Sequence, residues 1–224
     1  KITVEDLIEE GGLNPYMVAA LGIDSIEDVV KLFVYKRVER SLGTSFGNII
    51  ERFLAELLGG KRGKDDPKCK SGKEAWRCWW DIIIEREIMK SGKTYKGVVL
   101  SVKSGPADLN RDIVVTFIQH AEEAKNYGFK PYLVLTYGKK AFQVADSTLK
   151  RRNLDPEEYL LVGRELFREF LSDPNYYDRV IDLIRSISRK IDIFDLIEKK
   201  IQELVENLKS LYGNDVLKLL KDLS

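Results

Sequence analysis

Residues 78–84 read CWWDIII and residues 97–105 read GVVLSVKSG, and these two stretches decide the fold. Both are rich in the β-branched and aromatic residues that strands favour. The dipeptide Ser91-Gly92 between them is a two-residue hairpin signal. Because alternate residues of a strand share one face, a hairpin centred on Gly92 would place Asp81 directly opposite Lys103. The sequence therefore predicts an antiparallel strand pair that carries a carboxylate beside an ammonium group.

The chain on the N-terminal side of this pair is predicted to be helical. DSIEDVVKLFVYKRVERSLG predicts one helix over residues 24–43, ended near Gly43. A separate helix is expected over residues 45–58, capped by Thr44 or Ser45 and ended by two glycines. Its apolar residues recur at helical spacing, which predicts that one side of it packs on the core.

The chain on the C-terminal side predicts a helix over residues 107–127, capped by Asp108 or Asn110, and a buried strand over residues 131–137. AFQVADSTLKRR is interpreted as a further strand or turn, and everything from Asp155 onward as helix. This order of elements is typical of an α/β (α+β) fold in which a central mixed β-sheet is flanked by helices.

We expect one domain, with N-terminal helices over 1–43, a core over 44–154 and a helical C-terminal region over 155–224. Within that last region, apolar residues alternate at spacings of three and four, as in a heptad seam. Two interpretations stay open, packing within the chain or a dimer contact. The seam comprises Phe194, Ile197, Ile201, Leu204, Leu208 and Leu211.

Composition excludes several classes of protein. The 224 residues include 37 Lys or Arg and 36 Asp or Glu, so the net charge of +1 excludes a polycationic tail protein. No apolar run reaches the ~18 residues of a membrane span. Two cysteines are too few for a disulfide framework or a four-cysteine zinc site, and we expect a cytoplasmic protein. A single histidine argues against His-rich metal sites and Ser-His-Asp chemistry. The sequence has no phosphate-binding glycine motif, so we expect no nucleotide cofactor.

The predicted Asp–Lys pair could carry chemistry. Asp81 could hold Mg²⁺, which prefers oxygen ligands, and the backbone carbonyl of Val102 is a candidate second ligand. Lys103 could orient or deprotonate a water molecule, or stabilise charge on a phosphate. The alternative is a half-buried salt bridge at the edge of a sheet, since structural ion pairs have the same pattern.

The pattern of Asp81, nineteen residues, Ser101-Val102-Lys103, then a helix and a strand resembles the core of the PD-(D/E)xK nuclease superfamily. The segments NPYMVAALG, TSFGNIIERFL, VKSGPADLNRD and GRELFREFLSDPNYYDRVI resemble, in the same order, the PmeII-type type II restriction endonucleases. The resemblance implies a Mg²⁺-dependent endonuclease that cuts double-stranded DNA at a short palindromic site. It also implies a homodimer, with one site for each strand.

Two positions depart from the superfamily pattern. Trp80 stands where proline is expected, and Ser101 stands where an acid would supply a second carboxylate. The resemblance implies a glutamate on a helix near the site, and Glu51, on the boundary of the apolar side of the 45–58 helix, is the candidate. Its alternative is a solvated charge paired with Arg52 or Lys31. Ser101 would then support the site by hydrogen bonding.

The basic segment 61–77 is the leading candidate for contact with DNA. It holds seven bases and three acids. The bases could neutralise phosphates, although a solvated loop would have the same composition. Other candidates for DNA contact lie in the turn after Lys103 and at the start of the next helix, whose N-terminus could bind a phosphate. The predicted DNA-binding residues are Lys73, Arg77, Ser104, Asn110, Arg111, Lys139 and Lys140.

Two other functions stay open on the sequence. One is a structure-selective nuclease of the same superfamily, similar to a junction resolvase, which would cut branched DNA regardless of sequence. The other is a catalytically inactive DNA-binding module, which the serine at position 101 would favour.

Overall fold

The computed structural model describes residues 2–8, 13–105, 109–138, 141–189 and 192–222. The chain divides into two compact units, one made of residues 1–44 and 183–224 and the other of residues 45–182. The first boundary lies close to the predicted start of the core. The second lies well beyond residue 154, because a further strand and two helices belong to the unit that contains the sheet.

The unit of residues 45–182 is built on a mixed sheet of four strands, β1 Ile82–Ile84, β4 Gly97–Lys103, β5 Phe129–Leu135 and β6 Leu160–Val162. Their order in the sheet is β1-β4-β5-β6. Strand β4 pairs antiparallel with β1 and parallel with β5, which pairs parallel with β6. This confirms the predicted mixed sheet flanked by helices. A separate two-stranded sheet consists of β2 Ile88–Lys90 and β3 Lys93–Tyr95.

Helices cover both faces of this sheet. The helices from residue 26 to residue 188 are α3 Ile26–Leu57, α4 Pro67–Lys70, α5 Arg111–Asn126, α6 Ala141–Lys150, α7 Arg164–Leu171 and α8 Tyr176–Ser188, of which α3 and α8 run across a unit boundary. One face packs Ile83 and Val99 against α5, and the other packs Leu100 against the end of α3 and against α7. A strand buried on both faces needs a continuous apolar run, which explains the sequence GVVL at the start of β4.

The register of the first strand pair differs from the prediction by two residues. Ile82 pairs with Leu100, so Asp81 lies beside Ser101 and not directly opposite Lys103. The reason is that Ser91-Gly92 turns a separate hairpin, β2–β3, which is inserted between β1 and β4. A shift of two residues preserves the alternation of faces, so Asp81 and Lys103 still share a face.

Helix α3 is a second correction. It is one continuous helix of 32 residues, although two helices separated near Gly43 were expected. Thr44 does not cap a new helix, because its hydroxyl donates to the carbonyl of Arg40 at 3.0 Å. In contrast, Asn110 does cap α5, as expected, by accepting the backbone N–H of Ile113 at 2.9 Å. The alternative cap, Asp108, lies outside the described residues.

Two further elements were assigned wrongly. The segment expected to be a strand or turn is helix α6, in which Ala145 and Leu149 are buried one turn apart. The region from Asp155 is not all helical, because β6 adds the last strand of the sheet. Short apolar runs such as Leu160–Val162 fit a strand or a helix equally well in sequence, and pairing with β5 decides between them.

The two cysteines also differ from expectation, because they are each other's partner. Cys69 in α4 and Cys78 in the 3-10 helix Ala75–Trp79 form a disulfide with their Cα atoms 5.2 Å apart. The basic segment 61–77 is therefore folded and cross-linked, and it is not a loose loop.

The other unit is helical and has its own core. Its helices are α1 Val4–Ile8, α2 Pro15–Ala20, the first part of α3, α9 Ile193–Tyr212 and α10 Val216–Asp222. In the heptad seam, Ile201, Leu204 and Leu208 are buried in this core, which confirms packing within the chain there. Phe194 and Leu211 are exposed, and a dimer contact through them stays a prediction. None of the described helices is both long enough and apolar enough to cross a bilayer.

Candidate active site

The predicted pair of Asp81 and Lys103 is brought together at the end of β4. Asp81 immediately precedes β1, and its backbone N–H donates to the carbonyl of Leu100 at 3.0 Å. Its carboxylate Oδ2 accepts the backbone N–H of Val102 at 2.6 Å and lies 3.7 Å from the Lys103 Nζ. About a quarter of each side chain is exposed, so both remain open to a ligand from solvent.

The carboxylate of Asp81 is poorly compensated. Burial raises its pKa above the usual value, and the negative charge of Glu51 raises it further. The ammonium group of Lys103 and the N–H of Val102 lower the pKa of Asp81, but they do not offset the burial. A carboxylate in this state gains from any additional positive charge, which is the environment expected around a cation-binding group.

The backbone of Val102 faces the same edge of β4 as Asp81. Leu100 already uses its carbonyl to pair with Asp81, and carbonyls two residues apart on a strand point the same way. The N–H of Val102 donates to Asp81, so its carbonyl is directed to this edge as well. The predicted carbonyl ligand and the predicted carboxylate ligand therefore lie on one side of the strand.

Glu51 reaches the site from helix α3. The backbone of α3 approaches the end of β4 closely, since a Cβ added to Gly47 would lie 3.1 Å from the Ser104 hydroxyl. The Glu51 carboxylate lies 3.5 Å from the Lys64 Nζ, and its side chain is only 20% exposed. The expected alternative was a solvated charge paired with Arg52 or Lys31. In the structure Glu51 is mostly covered, and its charge acts on Asp81.

The donor set fits Mg²⁺ by its chemistry. It consists of two carboxylates and a backbone carbonyl, all hard oxygen ligands, and Mg²⁺ commonly keeps several waters beside one or two carboxylates. Among the described residues no group of three or more His, Cys, Asp or Glu side chains is placed to hold a metal. Ser101 adds no charged ligand to this set, and it is buried beside Asp81 and Lys103.

Lys64 is a site residue that the sequence interpretation missed. Besides its contact with Glu51, its positive charge lowers the pKa of Asp81. Its signal was present in the basic segment 61–77, but only the fold reveals which of several lysines approaches α3. Its side chain is 54% exposed, so it can also meet a ligand.

Arg77, which the sequence predicts to contact DNA, is buried in the structure. Its guanidinium is buried and is held at 2.9 Å by Asp66 and at 2.9 Å by Glu85, with a third ion pair to Glu74. Asp66 has no exposed side-chain surface and caps α4 by accepting the N–H of Lys68. A buried aspartate needs a buried cation, and Arg77 is the residue that supplies it.

The other residues predicted to contact DNA differ in how exposed they are. Lys73 and Arg111 are exposed, and Ser104 is partly buried at the end of β4. Asn110 is exposed and uses its side-chain oxygen to cap α5. Lys139 and Lys140 lie outside the described residues.

The chain was compared with protein-family models and with curated proteins, and no match was found in either comparison. The functional interpretation of this site therefore rests on its own residues and their geometry.

Proposed function

We propose that the chain is a Mg²⁺-dependent type II site-specific deoxyribonuclease of the PD-(D/E)xK superfamily, which hydrolyses double-stranded DNA at a short palindromic site. The observation that carries the proposal is Asp81 with its raised pKa, held 3.7 Å from Lys103 at the end of β4. A structural salt bridge would be expected to stabilise its carboxylate, whereas this one leaves it in need of positive charge.

The order of elements supports the proposal. A helix that carries a glutamate precedes the aspartate strand β1, and the lysine strand β4 is followed by α5 and the parallel strand β5. Each of the three charged side chains of the site comes from a different element, which rigid neighbours hold in place. This is the arrangement that the superfamily resemblance implies.

We assign a separate role in DNA hydrolysis to each residue of the site. Asp81, Glu51 and the carbonyl of Val102 would hold Mg²⁺, which when bound activates water and neutralises charge on a phosphate. Lys103 would orient the attacking water or stabilise the negative charge that develops on the scissile phosphate. Ser101, buried beside Asp81, would fix the local geometry by hydrogen bonding.

Exposed lysines support DNA as the substrate. Four of them follow one another on the cross-linked segment that leads into β1, and Lys64 among them contacts the site residue Glu51. Exposed lysines can neutralise phosphates, which makes binding depend steeply on salt. The four are Lys64, Lys68, Lys70 and Lys73. A homodimer would place two such sites on the two strands of a palindrome.

A cytoplasmic location is part of the proposal, because duplex DNA is the substrate. The Cys69–Cys78 disulfide is compatible with that location in a hyperthermophile, whose intracellular proteins are often rich in disulfides. Activity assays should therefore extend to elevated temperature.

Unmethylated phage DNA, incubated with Mg²⁺ or with EDTA over a range of temperatures, tests the proposal. We expect discrete fragments that require Mg²⁺ and that disappear with the Asp81→Asn variant. A smear would indicate a nonspecific or structure-selective nuclease, which branched DNA would then test. Intact DNA in every reaction, with retained binding in a gel shift, would overturn the catalytic assignment in favour of an inactive DNA-binding module.

A further inference from the structure

A cavity of about 290 Å³ adjoins the candidate active site on the side of the sheet that α5 covers. Lys103 belongs to both, since it lies beside Asp81 and also lines the cavity. A volume near the lower end of the ~300–1,000 Å³ range of ligand pockets admits one flat ring system and not a base pair. Any occupant of the cavity would therefore lie next to a phosphate held at Lys103.

The walls of the cavity combine an indole ring with hydrogen-bonding groups. Trp79 is fixed there by ring contacts to His120 at 4.4 Å and to Trp80 at 4.8 Å between centroids. Asp112 and Thr116, one turn apart on the same side of α5, add a carboxylate and a hydroxyl. These walls suit a flat ligand with polar edges and do not suit a purely apolar one.

The carboxylate of Asp112 selects among such ligands. Within the described part of the chain it has no ion-pair partner, and its side-chain oxygens can accept hydrogen bonds from a ligand. Asn110 uses its side-chain oxygen to cap α5, which leaves its amide nitrogen as the group available to a ligand. A phosphate inside the cavity would face Asp112 unfavourably, whereas a base with an exocyclic amino group would donate to it.

We propose that this cavity receives one unpaired base, carrying an exocyclic amino group, from the nucleotide whose phosphate lies at Lys103. The inference rests on the proposed nuclease function and adds to it that a base leaves the duplex during recognition. Extrusion costs the stacking and pairing energy of the base, which contacts in the pocket can offset. Asp112 and Thr116 then determine which base is accepted, and Lys103 connects base recognition to the site of cleavage.

Binding of mononucleotides tests the pocket without any need for catalysis. Isotope-labelled Asp81→Asn protein in EDTA is titrated by NMR with dCMP, with dUMP, which has an oxygen in place of the amino group, and with inorganic phosphate. We expect dCMP to shift the Trp79 indole and the Thr116 amide, and to bind about tenfold more tightly than dUMP. Equal affinity for all three, or shifts confined to another surface, would overturn the proposal.

Two matched variants locate the discrimination. Asp112→Ala should reduce the preference for dCMP over dUMP to less than about twofold, because the charged acceptor is lost. Glu122→Ala removes an exposed carboxylate from the same helix and should leave the preference unchanged. Should the Asp112→Ala variant retain the full preference, Asp112 is not the selecting group and the proposal fails.

A mismatched duplex separates extrusion from ordinary reading of a groove. Once cleavage has identified the scissile phosphate, the adjacent base pair is replaced by a mismatch and binding to Asp81→Asn protein is measured. Extrusion predicts tighter binding, because unpairing is then less costly. A protein that reads paired bases binds about 5–150-fold more weakly for each mismatch, and that result would contradict the proposal. Failure of cleavage with retained dCMP binding would reject the nuclease function alone.

Discussion

Two carboxylates flank strand β1, and they differ in how their charge is compensated. Glu85, after the strand, contacts Arg77 at 2.9 Å, Lys61 at 3.0 Å and Lys68 at 3.4 Å. Burial would raise the pKa of Glu85, but hydrogen bonds and positive charge from these neighbours outweigh it and lower that pKa. Asp81, before the strand, has Lys103 at 3.7 Å, and its pKa is raised.

The difference separates structural charge from functional charge. The acids around Arg77 are paired with cations of the protein, so this cluster stabilises the cross-linked segment and its carboxylates need no further cation. The negative charge of Asp81 is only partly compensated, so its carboxylate favours the binding of a cation. Perturbed groups of this kind concentrate at functional sites, which is why we assign the chemistry to the start of β1 and not to its end.

Loss of the positive charge of Lys103 should have a large effect on activity. Lys103→Met keeps the length of the side chain and removes its charge, and we expect cleavage to slow by about a thousandfold, within the range for a lost acid–base or electrostatic group. Initial rates on a plasmid carrying the site measure this. Lys93→Met, in the separate β2–β3 hairpin, removes an exposed lysine and should cleave normally. Normal cleavage by the Lys103→Met variant would remove this residue from the site.

Breaking the compensated cluster should have the largest effect on stability. Arg77→Met leaves the fully buried Asp66 without its closest cation, and removal of one partner of a buried ion pair costs about 3–5 kcal/mol. Urea unfolding measures the loss. Lys73→Met lies on the same segment but is exposed, and its stability should match the parent protein. A stable Arg77→Met variant that loses DNA binding would restore the original assignment of Arg77 to DNA.

Glu51 should have an intermediate effect that depends on the metal. Glu51→Gln removes one of two carboxylates, so cleavage at limiting Mg²⁺ should fall by about 10–100-fold and recover in part at high Mg²⁺. The Mg²⁺ concentration for half-maximal rate is the measurement. Glu56→Gln, an exposed position on the same helix, is the control. An unchanged Mg²⁺ requirement in Glu51→Gln would mean that Glu51 is not a ligand.

The pH dependence of stability should show Glu85 and Asp66 acting with one sign and Asp81 with the opposite sign. The folded-state pKa values of Glu85 and Asp66 are lowered, so their stabilising contribution is present above the usual carboxylate range and is lost as pH falls through those lowered values. The pKa of Asp81 is raised, so its contribution declines as pH rises from the usual value through the raised one. Thermal unfolding across acidic pH should therefore be less pH-dependent in Glu85→Gln.

Part of this site could be predicted from the sequence. Alternation along the strands was enough to place Asp81 and Lys103 on one face. The choice of Glu51 needed the family resemblance as well as the apolar pattern of residues 45–58. The register was not predictable, because Ser91-Gly92 marks a hairpin without revealing that it is a separate one. A one-dimensional pattern identifies faces, but it does not identify which of several turn signals joins two strands.

The role of Arg77 and the disulfide could not be predicted for a related reason. Arg77 lies in a segment where most basic residues are exposed, and its burial depends on Asp66, eleven positions earlier, being buried as well. The cysteines nine residues apart become partners only because α4 and the following 3-10 helix fold against each other. Both features depend on tertiary contacts, which composition and spacing do not encode.

The most direct test compares Asp81→Asn with Glu85→Gln by urea unfolding at neutral pH and by DNA cleavage. We predict that Asp81→Asn abolishes cleavage while its free energy of unfolding equals or exceeds that of the parent protein, because an unfavourable buried charge is removed. Glu85→Gln should cleave normally and lose about 1 kcal/mol or less, since its side chain is partly exposed. The opposite pattern, a destabilised but active Asp81→Asn variant and an inactive Glu85→Gln variant, would contradict the assignment.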